Sequence, residues 1–337
     1  MDAILWSKVP PADLKELFLH NPLPPFRGTP LVNDSLKQYF FERAAKAAIH
    51  NAAVVVRDGD TVLAAGQVYE IPYLSRYWGL RMGGLGHIVT RGTVDAQMRQ
   101  ATSILINELV REALKLQLDF LSGSVPGKDL PLVQAFEEHG FRYAEGFINM
   151  VGPTTQDYTA FHAPGVKIRM LEESDFKSID EAYRSVDFPS RYVTDGGFDP
   201  KRGYDLYPHR YREVFDQQLG VIFVAECDNH FAGALIGIVD HDLSVATGIK
   251  TNVLSGMGIV VHPRAARRGV SLALIAERQH WYAQHGVEWV SFGANFNNLP
   301  MLRGLAKLGL VYGSLDMTYH RWLKPERRYC PVGSSTS

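Results

Sequence analysis

Only two cysteines, Cys227 and Cys330, occur in 337 residues, so no disulfide framework can be built. Cys227 lies in an apolar, strand-like run, and a reducing, cytoplasmic compartment is expected. Charge of one sign is missing too: 35 Lys and Arg against 36 Asp and Glu leave a net charge of −1. No global field then draws the chain to nucleic acid or an anionic membrane, and any anionic ligand has to be met locally. Long apolar runs are absent, none approaching the roughly 20 residues a bilayer span needs. The opening MDAILWSKVPPADLKELF carries Asp2, Pro10 and Pro11 where a signal peptide needs an unbroken apolar stretch, so none is expected. What is present is ordinary for a chain that buries a core: 46% hydrophobic and 21% charged residues. At this length two domains of about 150 to 170 residues are the natural expectation.

The chain repeats itself. Shifted by the 169 residues that carry Asp129 onto Asn298, DLPLVQAFEEHGFRY (129 to 143) falls on NLPMLRGLAKLGLVY (298 to 312) without a gap. Leu130-Pro131 matches Leu299-Pro300, Gly140 matches Gly309 and Tyr143 matches Tyr312. LDFLSG (118 to 123) falls on VEWVSF (287 to 292), and SILINELVREAL on LALIAERQHWYA. Each half reads as strand, turn, strand, loop, long helix, strand, helix, strand, an order that builds a mixed α/β (α+β) layer structure. In the second half VIFVAE (221 to 226) and FAGALIGIV (231 to 239) form a predicted hairpin around Asp228-Asn229, and MGIVV (257 to 261) is a short strand stopped by Pro263. Leu274, Ile275, Trp281 and Tyr282 make one helical stripe, and Leu105, Ile106, Leu109 and Ala113 its counterpart. The polar segment PTTQDYTAFHAPG (153 to 165) is the expected linker. Domains are expected over 1–158 and 166–324, with 325–337 a tail.

The chemistry concentrates where MGIVV runs through HPRAARRGVS into the second half's long helix. A strand, basic loop, glycine and helix in that order suit a pyrophosphate. Free N–H groups and the positive end of the helix dipole face the anion, glycine admits close backbone approach, and arginines add charge. Arg267, Arg268 and Gly269 are the residues to watch. The first half has TRGTVDAQMRQATS (90 to 103) at this place, longer and lacking that glycine.

IVVHPRAARRGVSLALI (259 to 275) resembles the acetyl-CoA motif of GNAT acetyltransferases, and NFNNLPMLRGLAKLGL (295 to 310) resembles the segment carrying that family's conserved asparagine and turn glycine. Departures exist: Ala266 stands where Arg or Gln is usual, and Ser271 replaces the last small residue of the loop. The resemblance implies a GNAT fold in two tandem copies, the first degenerate. It implies acetyl-CoA as co-substrate, no metal, and coenzyme contacts at Ile259, Val260, Val261, Arg267, Arg268, Gly269, Val270, Ser271, Asn295 and Asn298. RYVTDGGFDPKRGYDLY (191 to 207) and YHRWL (319 to 323) further resemble bacterial N-acetyltransferases of nucleotide-linked amino sugars. That narrower likeness implies a dTDP-linked amino-deoxysugar acceptor in surface polysaccharide synthesis, met by Arg191, Tyr192, Asp195 and Arg210.

The family's direct mechanism needs no acyl-enzyme, in keeping with the lack of an activated Ser or Cys constellation. Leu305 occupies the place of the tyrosine that often protonates the thiolate, leaving Tyr312, Tyr319 and His320 as candidate acids. Asp240 and His241, within the cluster Asp240-His241-Asp242, are candidate bases; no further ligand set points to a metal there. Another amine acceptor, an amino acid or aminoglycoside, and an inactive acyl-CoA-binding module both remain open. So do a monomer and a homodimer.

Overall fold

The computed structural model describes all residues except 25, 27, 28, 30, 155–160, 162, 187–189, 241, 242, 244–250, 253–257 and 331–337. Two compact units form. The first joins Met1–Phe147 to Ser314–Arg328, and the second spans Ile148–Gly313 with Tyr329.

The first unit contains β1 (Asp2–Leu5), α1 (Pro11–Leu19), α2 (Asp34–Ala47), β2 (Ala52–Asp58), β3 (Thr61–Glu70), α3 (Pro72–Trp78), β4 (Met82–Thr90), α4 (Ala96–Lys115), β5 (Phe120–Pro126), α5 (Leu130–Glu138) and the start of β6 (Arg142–Pro153). The second contains the end of β6, β7 (Val166–Met170), α6 (Phe176–Ser185), α7 (Arg191–Thr194), α8 (Pro200–Asp216), β8 (Val221–Cys227), β9 (His230–Gly237), β10 (Val239–Asp240), β11 (Thr251–Asn252), β12 (Ile259–Val261), α9 (Val270–Gln284), β13 (Trp289–Asn295), α10 (Leu299–Lys307) and the start of β14 (Val311–Trp322).

The repeat seen in the sequence is a repeat of elements. A shift of 169 residues carries β2, β5, α5 and β6 onto β8, β13, α10 and β14 with both ends coinciding. Strand pairing repeats with it: Met82 of β4 lies opposite Phe120 of β5 in parallel, and Thr251 of β11 opposite Trp289 of β13. The predicted hairpin between β8 and β9 turns through Asp228 and Asn229, both left-handed at φ 53° and 59°, as a two-residue connection of twisted strands requires.

Each sheet buries apolar side chains on both faces. In β8, Val221, Phe223, Ala225 and Cys227 pack with Leu274, Ile275 and Tyr282 of α9, whereas Ile222 and Val224 pack with Ile179 and Tyr183 of α6 and Tyr211 of α8. The period of two along a strand explains why VIFVAEC is apolar almost throughout. In the first unit one core gathers Leu105, Ile106 and Leu109 of α4 with Leu132 and Phe136 of α5 and Tyr319 of β14; another gathers Leu14, Leu17 and Phe18 of α1 with Val55 of β2.

The expected linker at 153–165 is not where the units divide. The division falls inside β6, after Phe147, and inside β14, after Gly313. Residues 316–322 of β14 pair antiparallel with β5, so the first unit takes its strand from the end of the chain. Nor is the tail free from residue 325: Arg327 donates to the Gly79 carbonyl (3.1 Å), and the Tyr329 amide donates to Gly197 O (2.9 Å). Residues 331–337 lie outside the described set. Among the described residues no helix is long and apolar enough to cross a membrane.

Because Tyr319 is fully buried among Phe136, Phe141 and Leu132, Tyr319→Ala should destabilise the first unit by the about 3–5 kcal/mol typical of truncating a large buried aromatic. Urea denaturation is the check. A loss under about 1 kcal/mol would contradict the assignment of β14 to that unit.

Candidate active site

β12 is the edge strand of the order β12-β9-β8-β7. It pairs antiparallel with β9, Ile259 opposite Leu235 and Val261 opposite Gly233. The Gly258 carbonyl accepts from Ile236 N–H (2.8 Å) and the His262 amide donates to Ala232 O (2.9 Å), so positions 258, 260 and 262 address β9. By alternation, Ile259 and Val261 turn their N–H and C=O groups to the open edge. Val260 is buried, with its side chain in the α6–α8 core. Gly258 enters the strand at φ 103°, and a Cβ there would lie 2.6 Å from Ile236 Cδ1, so only glycine fits.

Beyond β12 the backbone folds into a cradle. His262 Nδ1 accepts from Arg264 N–H (3.2 Å), Pro263–Ala265 forms a single 3₁₀ turn, and Arg267 and Gly269 take left-handed φ values of 62° and 78°. The amides of Ala265, Ala266 and Arg268 donate within this loop, to His262 O (2.9 Å), Pro263 O (3.0 Å) and Ala265 O (3.4 Å), so the donors aimed at an anion are those of the first turn of α9. Gly269 is the N-cap of α9 and no side chain caps that helix. The first amides of a helix lack intrahelical partners, and here they meet the positive end of the helix dipole. Arg267 is exposed, and its guanidinium makes no hydrogen bond or ion pair with any described residue. Arg268 instead holds Asp228 at the β8–β9 turn (2.6 Å), and that bond keeps the Asp228 carboxyl below the usual carboxylate range. The pair is exposed, and such pairs hold their geometry weakly.

In the first unit the long helix starts five residues earlier in the repeat and carries a side-chain cap. Asp95 caps α4, its Oδ1 accepting from Met98 N–H (2.7 Å), and this bond holds the carboxyl below its ordinary pKa. A carboxylate thus fills the N-terminus of α4 itself. Thr90, at the end of β4, donates to Asp129 Oδ2 (2.7 Å) in the interior, and Asp129 Oδ1 caps α5 by accepting from Leu132 N–H (3.2 Å). Burial pushes Asp129 up from the ordinary carboxylate pKa. The matching residues of the second unit are Ile259 and Asn298. Asn298 keeps the cap, accepting from Met301 N–H (3.2 Å), but isoleucine cannot form the bridge.

β13 neighbours β6 and β11, whereas β12 neighbours β9. β11 and β12 thus belong to different sheets. Asn295 ends β13 and its Oδ1 accepts from Asn297 N–H (3.0 Å). Val270 is buried beneath the cradle, and Ser271 is half-buried in the first turn of α9.

The remaining expected residues are dispersed. Tyr312 is half-exposed in the part of β14 that belongs to the second unit. Tyr319 and His320 belong to the first unit and are buried: Tyr319 Oη donates to Glu137 Oε1 (3.4 Å), and His320 stands edge-on to Phe120 at 4.8 Å. Burial, then Glu137, pushes the Tyr319 hydroxyl up to about 12. The structure therefore does not place these two in the unit that carries the cradle, because β14 leaves that unit after Gly313. Leu305 is fully buried in the core below α10. Asp240 ends β10, opposite Thr251 of β11, and His241 lies outside the described residues.

Of the expected acceptor residues, Tyr192 is buried against Phe198 (5.4 Å between ring centres). Arg191 lies over the Tyr192 ring (4.9 Å) and donates to its hydroxyl (3.2 Å). Asp195 Oδ1 accepts from Gly197 N–H (2.9 Å) and Arg210 pairs with Glu213 one turn on. Tyr192, Asp195 and Arg210 thus serve the insertion's own fold. Missed in the sequence were the Asp95 cap and the Thr90–Asp129 bridge, both legible once the halves are aligned.

A helix N-terminus without a side-chain cap, next to an edge strand with outward backbone groups, suits an anionic ligand with an extended arm. The sequence profile of the Acetyltransferase (GNAT) family matches residues 186–310, the region that holds it. A GCN5-related N-acetyltransferase from Sphaerobacter thermophilus has the same fold at 14% identity and a TM-score of 0.57, covering 97% of this chain and 96% of that one. A tandem GNAT protein from the clavulanic acid biosynthesis pathway, solved without AcCoA, is 12% identical with a TM-score of 0.54 over 95% of this chain and 98% of that one. A functionally unknown conserved protein from Staphylococcus epidermidis is 13% identical, TM-score 0.52, over 76% and 90%. No curated protein matches the chain in sequence. The fold is the mixed α/β GNAT fold in tandem. Residues 186–310 are similar to the GNAT acetyltransferase family, and the chain shares its fold with the solved structures above.

Gly269→Ala should weaken acetyl-CoA binding about tenfold, or about 1.4 kcal/mol, by straining the left-handed cap, whereas Asp95→Asn should leave binding unchanged. Titration calorimetry on both variants is the check; equal effects would remove the cradle from the site.

Proposed function

We propose that the second unit binds acetyl-CoA and transfers its acetyl group to a primary amine by direct attack, the first unit being a degenerate copy that no longer binds the coenzyme. The observation that carries this reading is how the two long helices begin: α9 starts on a glycine with no side-chain cap, whereas α4, starting five residues earlier in the repeat, is capped by a carboxylate. The coenzyme's diphosphate would take the amides of 269–271 and the charge of Arg267, with Arg268 free to join by releasing Asp228. Its pantetheine arm would extend along β12 as an added strand, bonded to Ile259 and Val261.

In the reaction the amine lone pair attacks the thioester carbonyl, a C–N bond forms, and the C–S bond breaks to release the coenzyme thiolate. Outward amides of β12 would stabilise the oxyanion. The nitrogen's proton would pass to Asp240 or, through it, to His241. The thiolate, whose conjugate thiol has a pKa near about 8.5, would take a proton from Tyr312 or from solvent; Tyr319 and His320 are set aside by their burial in the first unit's core.

For the acceptor we keep the nucleotide-linked amino-deoxysugar, with Arg191 as its cation. The reading is tested by thiol release from purified protein with acetyl-CoA and a panel of dTDP- and UDP-linked amino sugars, amino acids and an aminoglycoside. Turnover on a nucleotide amino sugar is expected. Turnover only on another amine would keep the transferase and replace the acceptor. Acetyl-CoA binding without turnover would leave a binding module, and absence of binding would overturn the proposal.

A further inference from the structure

Between β9 and β10 a single residue, Ile238, stands outside both strands. The chain changes sheets there: β9 lies in the order β12-β9-β8-β7, whereas β10 pairs with β11, itself beside β13. At such a corner neither sheet supplies a ladder partner, so the N–H and C=O of Ile238 need another. Tyr282, on α9 and 1% exposed, supplies both. Its hydroxyl oxygen accepts from Ile238 N–H (2.9 Å) and its proton goes to Ile238 O (3.0 Å). One hydroxyl can do this because it is both donor and acceptor. Arg278, one turn earlier, reinforces the corner: its Cγ and Cδ pack on Gly237, where a Cβ would sit 3.2 and 3.3 Å from them. Its guanidinium lies over the rings of Phe292 (4.8 Å) and Tyr282 (5.5 Å).

The repeat provides the control. The first-unit counterparts of Ile238 and Tyr282 are Tyr69 and Ala113. There β3 runs unbroken over Thr61–Glu70, and Tyr69 is paired in the ladder opposite Gly84 of β4. Where alanine stands on the helix, no corner exists. Where tyrosine stands, the strand breaks and carries Val239-Asp240 into the other sheet.

We infer that Tyr282 is a positioning residue of the transferase: its hydroxyl fixes the sheet corner that sets Asp240, and it does so from the same helix whose first turn forms the coenzyme cradle. This rests on the acetyl-transfer reading above. The hydroxyl never touches the substrate; it acts through Ile238.

Tyr282→Phe removes the hydroxyl and keeps the ring. Expected are a kcat lowered about tenfold, a KM for acetyl-CoA within about twofold of the parent, and faster hydrogen exchange at the Ile238 amide. Unchanged kcat with unchanged exchange would overturn the inference, as would KM and kcat changing in proportion, the mark of general damage. Should the variant not fold, exchange in the parent protein still decides: an Ile238 amide as unprotected as that of exposed Asn229 would sink the proposal. If the parent turns over no amine, the acetyl-transfer reading fails on its own account, and the exchange experiment alone judges the corner.

Discussion

The first turn of a helix has amides that no helical carbonyl can satisfy, and what each unit does with them separates its two fates. α4 and α9 are counterpart helices that end in register, α4 beginning five residues earlier in the repeat. Asp95 fills the need in the first, covalently present and negatively charged, so a phosphate arriving there would meet repulsion as well as lost donors. Gly269, at a left-handed φ of 78°, leaves the need open in the second. The site is thus made less by adding groups than by withholding a cap.

Similar economy governs the rest of the divergence. Thr90 and Asp129 join the end of β4 to the start of α5 with a buried bond; Ile259 and Asn298 retain the cap and lose the bridge, which leaves β12 unfastened on that side. Ala113 stands where the second unit has Tyr282, and with that difference goes the one between a continuous strand and a strand that changes sheets. In each pair one polar atom decides whether backbone is closed off or left available.

The end strands show a different constraint. β6 and β14 occupy equivalent places in the repeat, and both cross from one unit to the other. The side chains of a strand pack where its neighbours are, whichever half of the sequence encodes them. This is why Tyr319 and His320, two residues of the second half that suggest acid–base chemistry, lie buried beside Phe136 and Phe120. Chemistry inferred from proximity in sequence to Tyr312 fails across the single step from Gly313 to Ser314.

Much of the architecture was legible in the chain alone. The shift of 169 residues anticipates element ends to the residue, since the spacing of apolar positions, Asp/Asn caps and turn glycines is local and repeats wherever local structure repeats. The cradle was legible for the same reason: a glycine before an apolar helix and arginines before the glycine are neighbours in sequence. Tertiary structure decided what depends on distant partners. It committed Arg268 to Asp228, closed Asp195 and Arg210 into the insertion's own turns, sent β14 into the first unit, and gave Tyr282 the two backbone groups of Ile238. Pattern along a chain records which face of an element is apolar; only packing determines which other element meets that face and which polar atoms are left to bind.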